Sequence, residues 1–392
     1  MMKNNCLIVG GGFAGLNAAI TMSKELNKNY NIILMDKNNY HLRRVLLFKV
    51  ATDGKEIRIP FKELLPENVQ FIQGELLSIN RDGKEISYQD SENQEKELKY
   101  DKLVLTLGSI NKSAPKECGG ISLTDIQAAK RIEDTWQYNF EQAKNSENIA
   151  TKRALLSMAV VGAGITGIET ATELSYAMRN HAKKTGIDAN LISIYLINSK
   201  SDIFEEATPH IRRSIRKEIE KCGVTIIDNR KGIRFENNTL LLNEYNEMLS
   251  VGGVIWTMGV KSNPIINTLD IPTTLEGKII VNQNYRVESD IYSIGDCAHV
   301  IDFRTGKVDG MTCKEAVPQA HRLIKIFKAE LKHKQLPQHK SYTSLFCISM
   351  GPNNGIFWMK LGKWNILLKR KLGWLMRGYT WNLVSLQKGV KT

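Results

Sequence analysis

Two glycine turns carry the clearest chemical signal in this 392-residue chain. Gly10-Gly11-Gly12-Phe13-Ala14-Gly15 and Gly162-Ala163-Gly164-Ile165-Thr166-Gly167 both have the spacing G-x-G-x-x-G. In a strand–turn–helix context that spacing suits a dinucleotide pyrophosphate. The first glycine permits a tight turn, the second lets backbone approach the phosphates, and the third lets helix pack closely on strand. The helix opening there offers N–H groups and the positive end of its dipole to the anion. Asp36, with Lys37 beside it, lies 21 residues after Gly15, where a carboxylate accepts hydrogen bonds from ribose hydroxyls. After the second turn the matching strand ends at Asn198, which can bond a ribose hydroxyl but does not repel a 2′-phosphate. Lys200 is close by; NADH is favoured, and NADPH stays open. The bland alternative for each turn is an ordinary glycine-rich connection. Two copies in one chain point instead to two dinucleotides, most simply one flavin and one nicotinamide.

The elements needed to hold these turns can be read on either side of them. Residues 7–9 form a short apolar strand, 16–26 a helical stretch and 31–35 the next strand. The order returns at 159–161, 168–179 and 191–197. This predicts an α/β protein with two doubly wound, Rossmann-like dinucleotide-binding domains. Residues 131–152 read as a polar helical connector, 290–293 as a strand running into Gly295-Asp296, and 332–340 as a linker containing Pro337. The expected division is 1–130 with 286–330 for FAD, 153–285 for NAD(P)H, and 331–392 as a membrane- or partner-associating segment.

In combination these motifs resemble the type II NADH dehydrogenase (NADH:quinone oxidoreductase) branch of the FAD- and NAD(P)-dependent pyridine nucleotide oxidoreductases. The similarity is carried by Asn39-Tyr40-His41-Leu42 and the run from Leu46 to Ala51, and by Leu103 to Ser109, which includes Thr106, Leu107 and Gly108. Gly167-Ile168-Glu169, Ile255 to Val260 with Met258 and Gly259, and Ile294-Gly295-Asp296-Cys297-Ala298 complete it. The resemblance implies an FAD over Gly10–Gly15, with Asp296 at the ribityl chain. It implies that Glu169 sits near the meeting of nicotinamide and flavin, and that electrons pass to a quinone. The competing reading of Glu169, and more strongly of Glu173, is a solvated charge near a helix N-terminus.

The chain departs from the family after the flavin-strand Asp. Lys314 stands where a glutamine is usual, followed by Ala316 and Gln319, and these three line the expected acceptor site. Residues 41–51 contain no cysteine, which argues against a thiol relay beside the flavin.

Composition narrows the remaining options. With 42% hydrophobic and 24% charged residues the chain can bury a core, which excludes low-complexity disorder. The uncharged stretches at 4–23 and 154–168 are each cut by a glycine cluster, so neither reads as a membrane span, and no secretory pattern precedes the first strand. The six cysteines form no C-x-x-C pair, so a reduced cytoplasmic protein without a disulfide framework or metal site is expected.

Nearly all of the +13 net charge follows Glu330, where eleven Lys/Arg and no Asp/Glu occur. Four of the six tryptophans, Trp358, Trp364, Trp374 and Trp381, lie there too. On a helical wheel Trp364, Leu368, Leu372, Leu375, Tyr379 and Leu383 form one stripe with Lys363, Arg370 and Arg377 nearly opposite. That pattern suits a peripheral membrane anchor on the cytoplasmic face of the cell membrane. Packing against the core or a homodimer partner is the plainer alternative. Nucleic acid is not expected, because no recognition fold accompanies the charge. The reading is an FAD-dependent NADH dehydrogenase that reduces a membrane quinone. The alternatives are an NAD(P)H-dependent flavin reductase with a soluble protein or small-molecule acceptor and, last, a flavin-containing sensor or nucleic-acid-binding protein.

Overall fold

The structure, a computed structural model, describes residues 3–243, 247–341 and 345–384, the side chains of the last three excepted. The chain opens with β1 (Asn4–Val9), α1 (Phe13–Glu25) and β2 (Tyr30–Asp36). A short helix α2 (Leu47–Asp53) follows, then β3 (Val69–Asn80), β4 (Glu85–Asp90), β5 (Glu95–Lys99) and β6 (Lys102–Leu105). β1 lies parallel between β2 and β6, with Val9 opposite both Met35 and Leu105. Cys6 to Val9 are all buried, as an apolar run covered on both faces of a parallel sheet must be.

The second lobe contains β7 (Ile121–Ser122), α3 (Ile126–Asn145), β8 (Ser157–Val161), α4 (Ile165–Thr185), β9 (Ser193–Ile197), α5 (Pro209–Lys221), β10 (Val224–Ile227) and β11 (Gly253–Trp256). Its parallel sheet runs β7-β11-β8-β9-β10. β7 pairs with Ile255 and Trp256, so the chain has already crossed between sheets by residue 121. It then returns as β12 (Arg286–Glu288) and β13 (Ile291–Ser293), completing a first sheet of order β12-β13-β6-β1-β2-β3-β4-β5. Helix α6 (Cys313–Leu331) covers that sheet beside α1. Two lobes of doubly wound α/β build are therefore present.

The C-terminal segment differs from its predicted form. It is an antiparallel sheet, β14 (Leu345–Ser349), β15 (Gly355–Leu361) and β16 (Trp364–Lys369), followed by helix α7 (Arg370–Val384). The single helical stripe from Trp364 is thus corrected. Trp364 and Leu368 are on a strand, Leu372, Leu375 and Tyr379 are on a helix, and the side chain of Leu383 lies outside the described residues. The hairpin hydrogen bonds that fix β16 pair it with Gly355–Leu361, a contact no helical wheel represents.

Part of this segment is core. Phe346, Ile348, Ile356 and Trp358 join the buried cluster that contains Val160, Ile168 and Phe48. Phe346 stacks between Phe204 and Trp358, at centroid distances of 4.2 and 4.9 Å. Gly373, which weakens α7 as a helix, lets it lie on the sheet: a Cβ there would collide with the carbonyl of Gly355. The other side is open. Trp364, Tyr379 and Leu372 are 77%, 62% and 61% exposed.

Candidate functional site

Each lobe builds the same cradle. Gly10 and Gly162 have φ of +107° and +112°, a region that non-glycine residues rarely enter. A Cβ on Gly10 would strike the carbonyl of Thr106, and one on Gly162 the carbonyl of Thr257. The two threonines close the turns in the same way. Thr106 Oγ1 donates to the carbonyls of Val9 and Gly10 at 2.9 and 2.7 Å, and Thr257 Oγ1 to those of Val161 and Gly162 at 3.0 Å each. Gly15 and Gly167 are excluded from carrying side chains by the carbonyls of Gly10 and Gly162. Gly12 and Gly164 differ, because a Cβ on either would meet no protein atom within 4 Å. Protein packing does not demand glycine at these two positions, and the open space beside each would admit a ligand lying against the turn.

Gly12 and Gly164 cap α1 and its counterpart in the second lobe, α4, and no acidic residue stands in the first turn of either helix. The first N–H groups of a helix have no intrahelical partner, so those near Phe13 and Ala14, and near Ile165 and Thr166, suit an anion. The residues after the threonines also correspond. Leu107-Gly108 and Met258-Gly259 lead into Ser109–Asn111 and Val260–Ser262, which pair antiparallel with each other and tie the lobes together.

Around the first turn, Asp36 Oδ2 accepts from the Gly11 N–H at 2.6 Å and Oδ1 from the Asn38 N–H at 2.8 Å. Burial raises the Asp36 pKa, while the N–H groups of Asn38 and Gly11 oppose the shift. Lys37 points elsewhere, to Glu75 at 3.4 Å. His41 is buried against Gly11, its Nδ1 2.9 Å from the carbonyl, and burial lowers its pKa to about 4, so the ring is neutral near pH 7.

At the return strand, Asp296 Oδ2 accepts from Ser109 Oγ at 2.6 Å and lies 3.6 Å from Arg44 Nη2. Arg44 also donates to Ser109 Oγ at 2.7 Å and to its carbonyl. Sequence reasoning named Ser109 only as the end of the Leu103–Ser109 motif and missed Arg44, for which the Arg43-Arg44 pair in an otherwise apolar run was the available signal. Gln319 is occupied at both ends. Its Oε1 accepts from the Gly295 N–H at 2.7 Å and its Nε2 donates to Asp309 at 2.9 Å. Lys314 donates to the Leu345 carbonyl at 2.6 Å and ties α6 to β14, and Ala316 is buried one turn into α6.

Glu169 and Glu173 are buried, which corrects the solvated reading of both. Glu169 Oε1 accepts from Arg377 Nη2 at 2.8 Å, Arg377 Nε at 3.1 Å and the Ser349 N–H at 2.9 Å. Glu173 pairs with Lys49 at 2.7 Å and accepts from Ser349 Oγ at 2.6 Å. Burial raises the Glu169 pKa and Arg377 pulls it back. Arg377 therefore faces inward, 4.2 Å from the Trp381 ring centroid, and is not one of the cations opposite an apolar stripe.

A family model described as pyridine nucleotide-disulphide oxidoreductase matches residues 4–320. The chain belongs to that family. It is an oxidoreductase with FAD and NADH as cofactors, and the two open glycine turns, Asp36 and Asp296 fit the two dinucleotides. Despite the family's description, all six cysteines are free thiols. The chain is 24% identical to the NADH dehydrogenase-like protein YutJ of Bacillus subtilis, over 85% of each chain. It is 24% identical to the type II NADH:quinone oxidoreductase of Staphylococcus haemolyticus, over 90% of this chain and 89% of the relative. Among solved structures, NDH2 from Plasmodium falciparum in complex with NADH superposes with a TM-score of 0.81 at 18% identity, covering 98% of this chain and 97% of the other.

Proposed function

We propose that the protein is a peripheral membrane NADH dehydrogenase that reduces a quinone. Hydride acceptance from NADH and release of two electrons to the acceptor are the chemistry that FAD would supply when bound. The chain supplies the binding and the electrostatics. The turns 10–15 and 162–167 hold the two pyrophosphates, Asp36 orients one ribose, and Asp296, fixed by Ser109 and Arg44, holds the ribityl chain. Gln319 acts through Gly295, and Lys314 and Ala316 stand at the start of α6 on the acceptor side. Glu169 sets the charge where the lobes meet. Leu107-Gly108 and Met258-Gly259 leave room for the rings that meet there.

One observation carries the reading. A single hairpin–helix unit exposes Trp364, Leu372, Leu375 and Tyr379 beside Lys363, Arg370 and Lys371, while its inner face reaches Glu169 through Arg377. Exposed apolar residues next to cations suit an anionic bilayer surface, and a membrane-dissolved quinone would then be taken up beside the site. Among the described residues no helix is long and apolar enough to cross a membrane. The name of the Staphylococcus relative supports quinone reduction, and that of the Bacillus relative supports NADH dehydrogenase chemistry alone.

The test is anaerobic mixing of the FAD-loaded protein with NADH, then with a short-chain quinone, alongside flotation with phosphatidylglycerol-containing vesicles. Fast flavin bleaching, fast reoxidation by quinone, and flotation lost in W364S/L372S/Y379S are expected. Bleaching without quinone turnover would sink the quinone assignment and favour a soluble acceptor docking on the basic face. Failure to float, with a dimer in solution, would assign the apolar face to a second copy.

A further inference from the structure

The second glycine turn should hold the nicotinamide dinucleotide, and its ribose position is unusual. In the first lobe, the Gly10 N–H bonds the carbonyl of Met35, and Asp36 follows. In the second, the Gly162 N–H bonds the carbonyl of Ile197, and Asn198 follows. Both side chains accept from the N–H two residues on, Asn38 for Asp36 and Lys200 for Asn198 at 3.2 Å. Asn198 therefore occupies the place of the ribose acid and lacks its charge.

The missing carboxylate comes from one strand further along the sheet. β10 pairs parallel with β9, Ile227 opposite Ile197, and the next residue is Asp228. Asn198 is buried, and its Nδ2 donates to Asp228 Oδ1 at 2.8 Å. The other carboxylate oxygen, Oδ2, is 2.6 Å from Arg216 Nη2 on α5. The asparagine is thus oriented by an acid placed against it.

We propose that the Asn198–Asp228–Arg216 triad, with Asp228 as its acidic member, sets the preference for NADH over NADPH. This rests on the second turn being the nicotinamide dinucleotide site. A dinucleotide with a free 2′-hydroxyl can donate to Asp228, whereas a 2′-phosphate would meet its negative charge. Four cations of this region are already engaged with carboxylates, which limits what they offer a 2′-phosphate. Arg216 serves Asp228 and, at 3.5 Å, Asp202; Arg212 lies 3.4 Å from Asp202; Lys200 holds Glu205 at 2.7 Å; Arg230 is paired with Glu247. Arg216 is a phosphate-binding group held in check, and removal of Asp228 releases it.

The experiment is calorimetric titration of the FAD-loaded protein with NAD+ and with NADP+, which needs no turnover and no quinone. Wild type is expected to bind NAD+ at least about tenfold more tightly than NADP+, about 1.4 kcal/mol. In D228S that ratio should fall at least about tenfold through stronger NADP+ binding, and D228S/R216A should lose the gain. D228N keeps the shape of the site, and it should weaken the preference in the same direction. A ratio unchanged in folded D228S and D228N would overturn the assignment. Absence of binding by either nucleotide to wild type would instead remove the underlying reading of the second turn.

Discussion

Replacing Arg377 with leucine should produce a stability loss that grows with pH. Glu169 is 2% exposed, and Arg377 is the cation within bonding reach of its Oε1. Removing one partner of a buried pair commonly costs about 3–5 kcal/mol. The alternative open to Glu169 is to take up a proton, which costs about 1.4 kcal/mol for each pH unit above its ordinary value of 4.5. That amounts to about 3 kcal/mol at pH 7 and under about 1 kcal/mol at pH 5. The sign follows from proton counting. The folded variant keeps a proton that the unfolded chain has released, so the folded state binds more protons and stability falls as pH rises. In wild type burial raises the same pKa and Arg377 opposes it, so the slope has the same sign and is shallower. The assay is the unfolding midpoint of R377L minus that of wild type, measured from pH 5 to pH 8 on FAD-loaded protein. E169L/R377L should recover most of the loss and flatten the curve. A difference independent of pH would refute the argument, since it would mean that Glu169 is not left uncompensated.

Four further outcomes follow from the same structure. G12A should fold normally but be purified with little flavin absorbance, because its new methyl group meets only the space the ligand needs. G164A should likewise fold but weaken NAD+ binding by at least about tenfold in calorimetry, for the same steric reason. Q319L should release the Gly295 N–H and leave Asp309 without its amide donor, costing about 1–3 kcal/mol in chemical unfolding together with faster FAD loss. His41, with its pKa lowered from 6.5 to about 4, is protonated more readily in the unfolded chain; stability is therefore lost as pH falls from 6.5 towards 4, and H41Q should remove that part of the slope in thermal melts.

The legible parts of this fold were those set by local constraint. A glycine required for a positive φ, or for a carbonyl lying against its Cα, leaves its spacing in the sequence, and both turns were found that way. Asp36 was found because a strand end follows a helix at a predictable distance. Asp228 was not, because its relation to Asn198 depends on which strand lies next in the sheet. Arg377 was misjudged for the same reason: its partner Glu169 is 208 residues away, and a helical wheel shows only the neighbours along one helix. Trp364 was placed on a helix because its spacing to Leu368 fits one. The competing signal was Gly362, which has φ +56° in the turn between β15 and β16.

Ser349 is bonded to both buried glutamates of α4, and it lies late in the chain. On a ribosome the second lobe would emerge with Glu169 and Glu173 made but without their C-terminal partners, Ser349 for both and Arg377 for Glu169, although Lys49 is already present for Glu173. Phe346, Ile356 and Trp358 would still be unsynthesised or inside the exit tunnel. The nucleotide-binding lobe thus reaches its final packing only when the segment with the exposed apolar face has been made and released. Final packing of the second lobe and formation of the exposed apolar face therefore depend on one and the same late segment.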